Sequence, residues 1–590
     1  MRRGVMDTGH NMDKVRQLQL NTTSHYFLEG LNELGIEYLF CNLGTDHAPL
    51  IEEMAHWRKE GLNLPKTVLC PHENVAMHMA GGYACMTGRG QGVMVHVDAG
   101  TANLAMATHN LFRARIPVLL MAGKAPYTIH KELAGSRDAY VHFVQESFDQ
   151  ANVVRSYVKW EYTLATGVTT KETLRRAHTV MHSDPRGPVY LMLPREVLAQ
   201  SWDSGAVRSY PEDRYGPTAA AGADPELVSA LAERLLAAKN PLLITAYAGR
   251  NPATCTALDE LARFAGIRVI EYHPLYLNIP HDSPCFSGYK PGKHVAEADL
   301  GLLLDVDVPW IPSDTRESAS TFWAHIDVDT VKGEFPMWGF PSNLRITGDS
   351  GRILGQLMEA LKASATAAFR DAAAKRVAAL AKEHEGRQRD IEALAAHKGA
   401  TNRINPHYLC AELGRAIQPE DIVIQEAVTN SAAVFSQVPR SRPGSLVGCG
   451  GGGGLGFSGG MALGVKLARP DRTVVQIIGD GTFHFSNADS VFAVSQQYGL
   501  PIFTVVLDNA GWGAVKRATL QMYPDGEAKA SGRYESALAP GRDFAKIAEA
   551  MGAHGESVMD PEDVPAAIAR CFREVRAGRA ALLHARVTPI

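Results

Sequence analysis

Apolar and polar positions follow two rhythms along this chain, short β-branched runs and longer stretches with helical spacing. The sharpest example opens at 473–478 (TVVQII), whose apolar, β-branched character predicts a strand buried on both faces. Gly479-Asp480-Gly481-Thr482 follows where such a strand should turn. From about Asn487 to Tyr498, Val491, Phe492, Val494 and Ser495 fall on neighbouring turns of a predicted helix. Pro501 then introduces a second buried strand at 502–507 (IFTVVL), which ends at Asp508-Asn509. Together these form a βαβ unit. In a parallel sheet both carboxyl ends lie on one edge, so Asp480 and Asn509 are expected to meet in the crevice where open α/β sheets bind ligands.

The same strand rhythm recurs at 93–97 (VMVHV), within 187–197, and at 241–246 (PLLITA), 267–272 (IRVIEY), 300–307 (LGLLLDVD), 322–329 (FWAHIDVD) and 422–426 (IVIQE). A stretch from Asp203 to Ala223, rich in Gly, Pro, Ser and Asp, reads as a crossing linker. The Ala-, Lys- and Glu-rich stretch 363–396 reads as a solvated helix. The expected organisation is a tail at 1–19, an α/β domain at 20–200, a linker at 201–222, a Rossmann-like central domain at 223–365, a helical linker at 366–401 and a last domain at 402–590. The fold class expected is α/β, with three doubly wound parallel-sheet domains.

Composition narrows the function classes. Hydrophobic residues make up 45% and charged residues 21%, ordinary for a soluble globular enzyme. A formal net charge of -4 gives no electrostatic case for nucleic acid or a membrane surface. The eight cysteines form no C-x-x-C pair, the amino terminus lacks an apolar core and no run reaches membrane-spanning length without charge. These features lead to the expectation of a reducing, cytoplasmic location.

Asp480 and Asn509 offer two hard oxygens of the kind Mg²⁺ takes from a protein while it keeps other positions for water and phosphate. The glycines beside Asp480 let backbone approach a diphosphate closely. Taken singly, the Asp-Gly and Asp-Asn segments are also common loop turns. With a helix and a strand between them, however, GDG and the Asn-containing turn resemble the thiamin diphosphate motif of the acetolactate synthase, benzoylformate decarboxylase and pyruvate decarboxylase superfamily. The resemblance implies thiamin diphosphate and Mg²⁺ as cofactors. Asp480, Asn509 and the Gly511 carbonyl would hold the metal, Gly479, Gly481 and Thr482 would sit near the diphosphate, and Trp512 would flank the cofactor. The family usually has two consecutive asparagines, and here the first is Asp508.

Three further segments resemble the same superfamily in the expected order. Asn42-Leu43-Gly44-Thr45, Pro71-His72-Glu73-Asn74 and Ala80-Gly81-Gly82-Tyr83-Ala84 are similar to its pyrimidine-binding domain. Glu73 matches the glutamate that hydrogen-bonds the aminopyrimidine and so helps the cofactor lose its C2 proton; by itself, Glu73 would read as an exposed helix N-terminus. The run 450–462 (GGGGGLGFSGGMA) resembles the benzoylformate decarboxylase pattern, which implies that Leu455 supports the bent cofactor and that backbone around Gly453 binds the pyrimidine. A dinucleotide loop is the competing reading, disfavoured by the absence of a clean preceding strand. Val428, Thr429 and Asn430 fall where the superfamily binds the diphosphate, and an ordinary turn or N-cap is the alternative. The last domain is thereby the diphosphate-binding one.

The resemblance also implies a homo-oligomer, dimer or tetramer, with Glu73 of one chain meeting Asp480 of another, and a small-molecule 2-oxo acid or related carbonyl substrate. His96, before Asp98-Ala99-Gly100-Thr101, matches an active-site histidine of benzoylformate decarboxylase; a buried core histidine is the alternative. Thr45, Asp46 and His47 match a loop that contacts substrate in relatives, although Asp46 and His47 could equally be a helix cap and its neighbour. The second histidine of benzoylformate decarboxylase has no counterpart near Val308-Pro309-Trp310-Ile311-Pro312, and the adjacent histidine pair of pyruvate decarboxylases is missing. The expected function is a thiamin diphosphate- and Mg²⁺-dependent carboligase or decarboxylase that cleaves or forms a C–C bond next to a carbonyl. A 2-hydroxyacyl-CoA lyase and a non-catalytic cofactor-binding regulator are the alternatives, and a nicotinamide-dependent dehydrogenase is weaker. For FAD or ADP in the central domain, 246–250 is only a thin nucleotide loop, which neither supports nor excludes them.

Overall fold

The computed structural model describes residues 20–539 and 541–588; the expected tail at 1–19 lies outside them. Three parallel sheets are stacked along the sequence, each built from the β-branched runs and flanked by helices. The first has six strands in the spatial order Lys66–Leu69, Tyr38–Asn42, Gly92–Val95, Leu119–Lys124, Val189–Pro194, Glu161–Thr163. The middle one has five: Arg268–Glu271, Pro241–Thr245, Leu300–Leu304, Phe322–Asp327 and Leu344–Thr347. The last also has five: Ile422–Glu426, Val474–Gly479, Phe503–Asp508, Ala581–Arg586 and His554–Val558. The strands at 241–245, 300–304, 474–479 and 503–508 are buried almost throughout, which is why they read as continuous apolar runs without alternation.

Strand order in the first and middle sheets reverses at a defined point, between Tyr38–Asn42 and Gly92–Val95 in the first and between Pro241–Thr245 and Leu300–Leu304 in the middle. At such a point the loops leave in opposite directions and open a crevice at the carboxyl edge. In the first sheet that edge carries Gly44, Thr45 and Asp46 from one strand and His96 from the next.

The first and last sheets are joined through two helices, Glu73–Thr87 and Ser458–Ala468, both rich in small residues. Their backbones come so close that a Cβ on Gly82 would lie 2.2 Å from the Met461 carbonyl oxygen and one on Gly464 would lie 1.9 Å from that of Met79. Only glycine permits that approach.

The stretch 363–396 forms the long helix Ala367–Ala396, started by the Thr366 side chain, which accepts from the Phe369 N–H. The linker is not wholly irregular: Ser201–Asp203 pairs antiparallel with Leu20–Thr22, and Glu212–Tyr215 is one helical turn. No helix among the described residues is long and apolar enough to cross a membrane.

Candidate active site

Three adjacent strands of the last sheet end in loops that converge. After Ile422–Glu426 comes the short turn Val428–Asn430, after Val474–Gly479 the helix Asp480–Phe485, and after Phe503–Asp508 the segment 509–513. The loops touch through missing side chains. A Cβ on Gly513 would sit 2.7 Å from Thr429 Cγ2, and one on Gly481 would sit 2.6 Å from the Trp512 ring. Trp512 is thus packed edge-on against Phe485, with ring centroids 5.8 Å apart, and covers Gly481.

Charge on this edge is poorly compensated. The Gly511 N–H donates to both Asp480 Oδ2 (3.0 Å) and Asn509 Oδ1 (3.1 Å), which brings the two side-chain oxygens around one backbone amide. Burial, followed by the neighbouring Asp508 carboxylate, pushes the Asp480 carboxyl up to about 7. Asp508 has its own partner, His584 Nε2 at 2.9 Å, which helps hold its carboxyl below the usual range. Asn430 Oδ1 is buried with no hydrogen-bond partner. An orphan amide oxygen and an under-compensated carboxylate on one edge are acceptors that fit a cation.

Beside this edge, a cavity of about 570 Å³ opens between the last and middle sheets. Its walls include Val428, Gly453 and Leu455 with Tyr272, Val308, Ile311 and Phe335. Glu426, at the end of its strand, accepts from the N–H groups of Gly456, Phe457 and Ser458 and thereby fixes the turn that presents Leu455. From the other side the Asn110 side chain brackets Gly454, accepting from its N–H (3.0 Å) and donating to its carbonyl (3.0 Å).

Glu73 is not among the residues lining that cavity. It begins helix Glu73–Thr87 at the carboxyl edge of the first sheet and is 6% exposed, not the freely solvated helix N-terminus of the alternative reading. Two amide donors fix its carboxylate: Asn42 Nδ2 to Oε1 (2.9 Å) and Asn103 Nδ2 to Oε2 (3.0 Å). His96 lies on the same edge, a quarter exposed, with its Nδ1 on Asp46 Oδ1.

The loop expected to contact substrate divides. Thr45 is exposed and hydrogen-bonds His142 Nε2 at 3.1 Å, but Asp46 and His47 are wholly buried, so neither presents a surface to a ligand in this chain. The reason is the close passage of the strand Leu119–Lys124, two places along the sheet: a Cβ on Gly123 would fall 1.3 Å from Asp46 Oδ2, so backbone covers that side chain.

Sequence reasoning missed Asn103, Asn110, Glu426, His142 and His584. Asn42 was part of a quoted motif without a role. Asn103 and Asn110 are seven residues apart on one helix, two turns at 3.6 residues each. That spacing was the available signal.

With this geometry in hand, two family models match. Residues 21–153 match the description "Thiamine pyrophosphate enzyme, N-terminal TPP binding domain", and residues 427–585 match "Thiamine pyrophosphate enzyme, C-terminal TPP binding domain". Among curated proteins, the acetolactate synthase large subunit of Haemophilus influenzae is 23% identical over 566 residues, covering 92% of this chain and 91% of that one. The benzoylformate decarboxylase of Pseudomonas aeruginosa is 25% identical over 554 residues, covering 92% and 94%. Among solved structures, the thiamine diphosphate-dependent 4-hydroxybenzoylformate decarboxylase of Rhodococcus jostii RHA1 superposes with a TM-score of 0.75 at 23% identity, over 96% of this chain and 99% of that one.

Proposed function

The chain belongs to the thiamin diphosphate-dependent enzyme superfamily of the acetolactate synthase and benzoylformate decarboxylase type, and from that premise we propose that it cleaves or forms the C–C bond next to the carbonyl of a 2-oxo acid or 2-hydroxy ketone, as a carboligase or decarboxylase. The observation that carries the reading is the convergence of 428–430, 480–482 and 509–513 on one edge, with an under-compensated Asp480 and an orphan Asn430 oxygen. In this reading Asp480, Asn509 and the Gly511 carbonyl hold Mg²⁺. Gly479, Gly481, Thr482, Val428, Thr429 and Asn430 surround the diphosphate, and Gly453, Leu455 and Trp512 border the rings.

Bound thiamin diphosphate supplies an electron sink for the carbon that loses its neighbour. The chain's own residues do the rest. Glu73 presents an oriented carboxyl to the pyrimidine, held at both oxygens by Asn42 and Asn103 so that it shares a proton without swinging away. Leu455 is a shelf fixed from behind by Glu426 and from the side by Asn110. Tyr272, Val308, Ile311 and Phe335 form the apolar wall of the cavity on the side of the middle sheet.

Glu73 and the cavity belong to different copies in this reading, and the site closes in a homodimer or a tetramer of dimers. Exposed apolar side chains on both halves support it: Tyr140 (82%), Phe143 and Phe148 on the first domain, Met522 (72%) and Tyr523 on the last. In the middle sheet's switch-point crevice Tyr247, Asp307 and Lys332 are bonded to one another, an arrangement that lends FAD or ADP no support.

The test is turnover of a panel of 2-oxo acids by purified protein, with and without thiamin diphosphate and Mg²⁺, with products analysed for aldehyde, acyloin and CO₂. Cofactor-dependent product is expected. Tight cofactor binding with no product from any 2-oxo acid would contradict the substrate reading.

A further inference from the structure

Asp46 and His47 are the two residues for which burial removes the role expected of them, and what they do instead bears on His96. Asp46 Oδ1 meets His96 Nδ1 in a short hydrogen bond, while His47 Nδ1 lies 3.3 Å from Oδ2. The second contact supplies no donor. His47 Nδ1 accepts from the Gly44 N–H at 3.1 Å, which leaves its proton on Nε2, and Asp46 Oδ2 is accordingly without a hydrogen-bond partner. Among the described residues, His96 is thus the one side-chain donor to a fully buried carboxylate. With so few donors, that carboxylate favours a partner that carries the opposite charge.

The pair is also enclosed. A Cβ on Gly44 would fall 1.9 Å from His96 Nδ1, and one on Gly123 would fall 1.3 Å from Asp46 Oδ2, so two backbone segments close over the bond with no room for a side chain. Water cannot take the place of either partner without moving a strand. The charged and titratable groups around the ring are few. Asp46 lies behind it with His47 beyond, Glu73 approaches from helix Glu73–Thr87, and Asp98 follows in its own helix, tied to Ser147. His142 stands off on Thr45 and is paired with Asp138. The hydrogen bond to Asp46 is the strongest influence holding the His96 ring above its ordinary value; burial opposes it, and the Asp46 charge, a hydrogen bond with the Gln145 side chain and the more distant Glu73 act in the same direction as the Asp46 bond, in that order.

We propose that Asp46 is a positioning residue for His96: it fixes Nδ1–H as a donor into the protein and holds the ring as an imidazolium, so that Nε2–H is the proton delivered to the substrate. This rests on the reading of His96 as part of the substrate site. In the step, the Nε2–H bond breaks and its proton passes to the electron-rich carbon or oxygen of the substrate. The bonding pair stays on Nε2, the ring becomes neutral with Nδ1–H still on Asp46, and the proton is regained from water. The substrate class this serves is one that must be protonated after C–C cleavage, a 2-oxo acid processed to an aldehyde.

The test uses the full-length protein labelled in its histidines and needs no substrate. The His96 signal is the one missing from His96→Gln, and it is titrated in wild type and in Asp46→Asn by NMR. The expected midpoint in wild type lies above the ordinary histidine value of about 6.5 and falls by at least about one unit in Asp46→Asn. A wild-type midpoint at or below the ordinary value overturns the proposal whether or not the variant folds, as does an unchanged midpoint in the variant. With any 2-oxo acid that is turned over, the alkaline limb of kcat/KM should move to lower pH in Asp46→Asn, costing about tenfold above the limb. A purely structural Asp46 would lower activity without moving the limb. Failure of every 2-oxo acid overturns the substrate reading, and the titration still decides the pair.

Discussion

At the carboxyl edge of the last sheet Asp480 stands beside Asp508 with a backbone amide for a donor, whereas at the edge of the middle sheet Asp307 and Asp327 share the Lys332 ammonium. Lys332 Nζ is fully buried and reaches Tyr247 Oη at 2.8 Å, Asp307 at 2.8 Å and Asp327 at 2.6 Å. Arg115, from the first domain, closes on Asp307 with two bonds of 2.9 and 3.2 Å. Both sheets are parallel, and both crevices are where α/β folds place ligands. The difference lies in who satisfies the charge: the carboxylates of the middle crevice are met by the chain's own cations, whereas among the described residues Asp480 has no cationic partner. A fold locates crevices, and the side chains decide which of them is a site.

The sharpest way to break that contrast is Lys332→Met. Removing one partner of a buried pair leaves uncompensated carboxylates and should cost about 3–5 kcal/mol of stability. Thiamin diphosphate affinity in the protein that remains folded should not change. Denaturant titration and calorimetric cofactor binding on the same samples check both halves, and weakened cofactor binding would place Lys332 in the site.

Asp480→Asn is the mirror experiment. It removes a proposed metal ligand, so Mg²⁺-dependent cofactor affinity should fall about a hundredfold or more. The cofactor-free protein should be no less stable, because the substitution relieves a crowded carboxylate pair. A loss of cofactor-free stability comparable with that of Lys332→Met would make Asp480 structural.

A smaller effect concerns the seam between the first and last domains. His78 is fully buried, with Nδ1 on the Asn74 carbonyl (3.1 Å) and Nε2 near Asn110 Nδ2 (3.3 Å), and burial drives it down to about 3. The unfolded chain takes up this proton near 6.5, so the contribution is complete above 6.5 and is lost as pH falls toward 3. Unfolding measured from about pH 6.5 down to 5.5 should show a loss of about 1 kcal/mol that is absent in His78→Met. Equal slopes in the two proteins would contradict a buried neutral ring.

Much of this was legible in the sequence, for identifiable reasons. The strands 241–245, 300–304 and 474–479 are buried on both faces and leave unbroken apolar runs, so they were found. Leu344–Thr347 is four residues, half of them exposed, and left no pattern. Glu73 and Asp480 could be named because each sits in a short motif with glycine or asparagine beside it. Asn103, Asn110, Glu426 and His584, which hold Glu73, Gly454, the turn at 456–458 and Asp508, could not, since they act from 30 to 344 residues away and the seven-residue spacing of Asn103 and Asn110 is their one local sign. Asp46 and His47 were assigned the wrong surroundings: a polar pair after Gly-Thr reads as a loop tip, and the covering strand at Gly123 is 77 positions later.

The central claim is that a working site joins Glu73 of one copy to Asp480 of another. The most direct measurement co-expresses Glu73→Gln and Asp480→Asn, each expected to be inactive alone, and assays the mixed assembly with the best 2-oxo acid of the panel. Random pairing of two chains puts one intact site in half of the dimers, so about a quarter of wild-type turnover should return. Turnover that stays at the level of the two parents would contradict the account and place Glu73 and Asp480 in the same copy's site.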